Sequence, residues 1–145
     1  MKNKLLTFAF AICIMIPCAL MLTACGSFET NVKYVISDVS IVWGSEQEKN
    51  TILGEDNTEE EIISNYSSTE GFVKFKDDGT VESGSKDTET RTYYYTKDGN
   101  NIKVYSDEAK ENLVVELEVD GGKLIQKVNY SDDYDSYIKV IYEKE

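Results

Sequence analysis

No histidine occurs anywhere in the 145 residues, which removes the commonest general base and metal ligand from the chain. Of the three cysteines, Cys13 and Cys18 lie inside an uncharged apolar run from Leu5 to Leu22, and Cys25 follows that run in Leu22-Thr23-Ala24-Cys25-Gly26. Beyond Cys25 a serine or threonine nucleophile has neither an imidazole nor a thiolate to work with, and no serine and lysine stand at a suggestive spacing. Paired carboxylates could in principle cleave glycosides, but 27 acidic residues single out no pair. A glycine-rich phosphate loop and a cysteine-histidine metal pattern are both missing. The sequence therefore predicts no enzyme, no cofactor and no resident metal. Asp132-Asp133-Tyr134-Asp135 gathers oxygen ligands of the kind calcium favours. Its spacing is not that of a helix-loop-helix site, so it reads as a solvated turn with at most weak divalent-ion binding at a rim.

What remains is one thiol and a set of aromatic rings. Lys2 and Lys4 precede the apolar run, small residues precede Cys25, and the uncharged pair Gly26-Ser27 follows it. A membrane-spanning helix would need a charged stop-transfer flank at that point. Leu22-Thr23-Ala24-Cys25 resembles a lipoprotein lipobox. The resemblance implies a signal peptide over 1–24 and acylation of Cys25 by palmitate-type chains. It further implies a lipidated tether over 25–31 and a domain over 32–145, held on the extracytoplasmic face of the cell membrane. Two or more acyl chains make a durable anchor, at about 0.8 kcal/mol per buried methylene.

Loss of residues 1–24 would take two of the 15 basic residues and none of the 27 acids, leaving 13 against 27 and a formal charge of −14. Such a field repels nucleic acid and anionic lipid. It suits solubility first, and a cationic protein partner second. Acylated Cys25 would leave no thiol for a disulfide, so stability rests on packing a single core.

The rings and apolar residues need strands to position them. Asp78-Gly79, Asp98-Gly99 and Asp120-Gly121 recur about every twenty residues between β-forming runs, and Asp-Gly is the strongest short hairpin signal. Three hairpins follow: 71–76 with 80–83, 90–96 with 101–105, and 112–119 with 123–130. Strands over Val32–Trp43 and Ser136–Lys144 bracket them and bring the count to eight. Leu113, Val115, Leu117 and Val119 share one face against Glu116 and Glu118, and Ile138, Val140 and Tyr142 alternate with Lys139 and Glu143. Thr58-Glu59-Glu60-Glu61 fits a capping box ahead of Ile62, Ile63 and Tyr66, predicting one short helix after the first strand. The class is all-β: an eight-stranded antiparallel up-and-down barrel, which closes its own edges and so predicts a monomer.

Trp43, the run 75–81, Tyr95 through Ile102, Asp120 through Leu124 and the closing Tyr142-Glu143-Lys144 together resemble the bacterial lipocalin-like lipoproteins. The pattern departs once: Ile41 stands two residues before Trp43, where that family's signature has glycine. The resemblance implies a barrel cavity for a small hydrophobic or amphipathic ligand. On that reading Val73, Phe75, Tyr93, Tyr95, Ile102, Val104, Val115, Leu117, Val140 and Tyr142 line the cavity, and Trp43 plugs one end of the barrel. The second reading is an interaction or inhibitor domain of the cell envelope that meets a cationic protein through its acidic surface.

Overall fold

Each Asp-Gly pair lies at a hairpin, and Gly79, Gly99 and Gly121 all have the positive φ those turns need (84°, 56° and 57°). In two of the three the aspartate closes the strand and the glycine opens the loop. Asp98 pairs with Asn101 around Gly99-Asn100, and Asp120 pairs with Lys123 around Gly121-Gly122. At the first turn the Asp78 carboxylate instead accepts hydrogen bonds from the Thr80 hydroxyl at 2.6 Å and amide at 2.9 Å. These bonds hold its pKa below the ordinary aspartate value.

The computed structural model describes residues 27–145, so the lipobox, the signal segment and Cys25 lie outside the described residues. The eight strands are β1 (Lys33–Val42), β2 (Phe72–Phe75), β3 (Thr80–Ser85), β4 (Thr88–Asp98), β5 (Asn101–Tyr105), β6 (Leu113–Asp120), β7 (Lys123–Asn129) and β8 (Tyr137–Lys144). They pair in chain order, all antiparallel, and β8 returns to β1 to close the barrel. The expected class and meander hold.

Two helices, not one, fill the connection from β1 to β2: α1 (Glu46–Leu53) and α2 (Glu59–Ser67). For α2 the capping box forms as predicted, Glu61 N–H donating to Thr58 Oγ1 and Thr58 N–H to a Glu61 carboxylate oxygen. Its Ile62, Ile63 and Tyr66 pack on Val39, Ile138 and Val140. Unlike α2, α1 places no side chain against either core cluster, which is why no apolar stripe announced it. Polar bonds hold it instead. Ser45 caps it by accepting from the Glu48 amide, and one Glu48 carboxylate oxygen accepts from both the amide and the hydroxyl of fully buried Ser136, at 2.9 and 2.6 Å.

Three ladders carry a register shift, and those in β1 and β6 are β-bulges that reset the faces of these strands. Ser37 is the extra residue between the pairs Ile36–Tyr142 and Asp38–Ile141. Val114 is the extra residue between Val104–Val115 and Tyr105–Leu113. The second bulge corrects the face predicted for β6. Val115, Leu117 and Val119 turn inward, but Leu113 lies beyond the slip, opposite outward Tyr105, and is 50% exposed.

The interior has two unlike ends. All three Asp-Gly turns lie at one end, here called the base. Tyr34, Phe75, Val81, Ile102 and Leu124, each no more than 1% exposed, fill it, and Phe28 is packed against them. At the other end, the mouth, the ladders stop short. β1 pairs with β2 only over Lys33–Val35, and β6 with β7 only from Leu117 and Gln126 toward the base. Residues 113–116 of β6 and 127–129 of β7 therefore do not pair with each other, and Leu113 and Val114 stand exposed beside that opening.

Candidate functional site: the mouth half of the barrel interior

Strand register decides which side chains face the space above the base. Val81 opposite Tyr93 and Ser83 opposite Arg91 put Tyr93 and Arg91 on the inward face of β3 and β4. Leu117 opposite Gln126 and Gln126 opposite Val140 do the same for Gln126. A cavity of about 680 Å³ opens at the mouth, walled by Ile36, Tyr66, Phe72, Arg91, Tyr93 and Val140 among others. A deeper pocket of about 220 Å³ lies against Val73, Val81, Val104, Val115 and Leu117. Ser83, Tyr93, Gln126 and Tyr142 border both spaces, so the two adjoin across a waist made of these side chains. The larger space is within the usual range for small-molecule sites.

Polar chemistry at the waist is sparse and specific. The Tyr142 hydroxyl donates to the Gln126 amide oxygen at 2.9 Å, and burial pushes the phenol up to about 12. Neither side chain ionises near neutrality, so the pair fixes two rotamers and leaves the Gln126 amide N–H groups to address the cavity. Arg91 stands farther out on β4, two residues beyond Tyr93 and close to Ser83, Ser85 and Thr88 of the rim.

Six of the eight residues proposed for ligand contact line these spaces: Tyr93, Val104, Val115, Leu117, Val140 and Tyr142. Phe75 and Tyr95 do not. Their rings meet edge to face at 4.9 Å and both pack on Phe28, at 5.1 and 6.3 Å. The Tyr95 hydroxyl donates to the Lys76 carbonyl at 2.9 Å, and burial, with Asp77 and Asp78 nearby, raises its pKa. These rings fill the base. Ile102 is likewise buried in that core, whereas Val73 borders the deeper pocket.

Trp43 does not plug the barrel. It belongs to neither core cluster and stacks on Tyr130, centroids 6.0 Å apart, at the corner where β1 leaves the wall. The Lys49 ammonium lies 5.9 Å from its ring. A Cβ on neighbouring Gly44 would come within 2.7 Å of the Asp135 Cβ, so this corner is closed by contact and not by aromatic volume. Asp135 thus borders a packed corner, and among the described residues no group of three or more acidic or cysteine side chains is placed to hold a metal.

Arg91, Gln126, Ile36 and Tyr66 are the residues that sequence reasoning missed. Arg91 and Gln126 carried a signal. Each sits two positions from an inward residue of its own strand, Tyr93 or Leu124 and Val128, so alternation places it inside despite its polarity. Ile36 was obscured by the bulge at Ser37, and Tyr66 reaches the cavity only through the packing of α2.

No family model, no curated protein and no solved structure matches this chain.

Proposed function

We propose that this chain is a lipid-anchored, extracytoplasmic barrel of the lipocalin-like kind that binds a small hydrophobic or amphipathic ligand in the mouth half of its interior. The observation that carries the reading is the division of that interior. An eight-stranded barrel has just enough room for its own side chains or for one small guest. Here the base is filled by rings, while the mouth keeps a cavity of about 680 Å³ that adjoins the deeper pocket.

The anchor supports the same reading. Phe28 is docked in the base against Tyr34 and Phe75, and the Glu29 amide donates to the Tyr34 hydroxyl at 2.8 Å. Only Gly26 and Ser27 then separate an acylated Cys25 from the packed barrel, a reach of at most about 11 Å. A lipid on Cys25 would hold the base toward the bilayer and turn the mouth outward.

The test is uptake of a fluorescent fatty-acid probe by residues 27–145, which contain every strand, both helices and both core clusters. Saturable binding that Val115→Trp abolishes is expected, and no uptake would overturn the ligand reading. Metabolic labelling with a palmitate analogue, lost in Cys25→Ser, tests the anchor separately.

The second reading, a domain that meets a cationic protein partner, is favoured by exposed Leu113 and Val114 beside the β6–β7 opening and by a formal charge of −12. Partner capture through that field weakens steeply with salt, whereas cavity binding hardly responds.

A further inference from the structure

The geometry points to an amphipathic anion as the cavity's ligand: a single-tailed molecule whose head group pairs with Arg91 at the mouth and whose tail lies in the deeper pocket. This rests on the cavity being a binding site, and it adds the chemical class. Arg91 is the only arginine of the chain, the other fourteen basic residues being lysines. Eight of those lysines form ion pairs with carboxylates across the outer surface of the molecule. Among the described residues Arg91 forms none, and it is the one basic side chain that lines the cavity.

Order along β4 sets which part of a ligand meets which side chain. From base to rim the inward series is Tyr95 in the packed core, Tyr93 at the waist, then Arg91. At about 3.3 Å per residue, Arg91 is placed about 7 Å beyond Tyr93 along the strand. A tail seated against Val104, Val115 and Leu117 therefore passes the Tyr142–Gln126 pair and brings its head group to Arg91 first. A guanidinium offers a rigid fork of donors that matches a carboxylate or phosphate in two parallel bonds, which a lysine cannot do.

Two carboxylates are near the rim. Glu70 is engaged by Lys86 at 3.5 Å. Glu89 lines the mouth outside Arg91, past the irregularity that breaks register between Ser83 and Ser85. Glu89, exposed like Arg91, borders the same mouth and tempers the affinity for an anionic head group. The acidic surface as a whole acts weakly at this point, because a Debye length of about 8 Å at physiological salt screens the distant charges.

The experiment uses residues 27–145, a neutral naphthylamine probe bound in the cavity, and three competitors with the same tail: dodecanoate, dodecanol and dodecyltrimethylammonium. Dodecanoate is expected to displace the probe at a concentration about two- to fivefold below dodecanol, the effect of one ion pair at an exposed arginine, with the cationic competitor weakest. Arg91→Gln should erase the advantage of dodecanoate while leaving dodecanol unchanged, so dodecanol serves as the internal control for folding. Glu89→Gln should sharpen the preference for dodecanoate. Equal competition by dodecanoate and dodecanol, or a preference that survives Arg91→Gln, overturns the inference while leaving the binding site standing. A wild-type barrel that takes up no probe overturns the binding reading and this inference together.

Discussion

The base and the mouth of this barrel are built from the same strands and differ in almost everything else. At the base the connections are short turns, and the buried hydroxyls are spent on backbone, Tyr34 bonding to Glu29 and Tyr95 to Lys76. At the mouth three of the four connections are long and only β3 to β4 turns tightly, two ladders end early, and polar side chains point inward. A closed sheet needs only one well-packed end to fix its register, and the other is then free to carry a cavity. On the proposed function, stability and binding are thereby assigned to different halves of one wall.

The largest effect that separates the halves should come from Phe75, which is fully buried and meets Phe28 and Tyr95 edge to face. Phe75→Ala is expected to cost about 3–5 kcal/mol in urea unfolding, the range for deleting a packed ring from a core. Val115→Ala, half-buried beside the deeper pocket, should cost about 1 kcal/mol, because part of its surface faces space and not packing. Equal costs at the two positions would break the comparison.

Tyr142 at the waist offers a comparison by pH. Its folded pKa is pushed up to about 12 by burial, against an ordinary phenol value of 10.0. Below pH 10 both states hold the proton and stability does not depend on this group. Between pH 10 and 12 the unfolded chain loses the proton and the native state keeps it, so unfolding becomes easier as pH rises. The loss across that window is about 2–3 kcal/mol. Melting temperatures followed through alkaline pH should fall more steeply for wild type than for Tyr142→Phe, and parallel curves would show that the waist is wetter than its geometry indicates.

At the mouth corner, Glu48→Ala should cost about 1–3 kcal/mol, because it strips the acceptor from the amide and hydroxyl of buried Ser136. The loss should be local, read as faster amide exchange in α1 and at Ser136 with little change in β5 or β7. A uniform loss of protection would mean that the corner supports the base, contrary to the division described above.

The base was far easier to read from sequence than the mouth, for a physical reason. Asp-Gly turns and alternating apolar residues are local signals, and at the base nothing interrupts them, so the strands, their order and closure were all foreseeable. Phe75 and Tyr95 were correctly expected to point inward but were assigned to the cavity, since alternation tells inside from outside and not how high along the barrel a ring sits. The mouth depends on features with little local signature. Ser37 and Val114 are bulge residues whose types do not mark them, α1 is held by one carboxylate and not by an apolar face, and Arg91 and Gln126 break the rule that inward means apolar.

Leu113 and Leu117 give the smallest effect and the cleanest contrast, because four residues apart on one strand they look alike in the sequence. Leu117 is 4% exposed opposite Ile102, whereas Leu113 is 50% exposed opposite Tyr105. Between them lies the extra residue at Val114, which rotates the strand end outward. Leu117→Ala should therefore cost about 2–5 kcal/mol and Leu113→Ala no more than about 0.5 kcal/mol, both read from urea midpoints at constant slope. Deleting Val114 should restore simple alternation and swing Leu113 toward the pocket. In that variant the cost of Leu113→Ala should rise toward that of Leu117→Ala, and an unchanged cost would show that the long connection after β5, and not the bulge, turns Leu113 out.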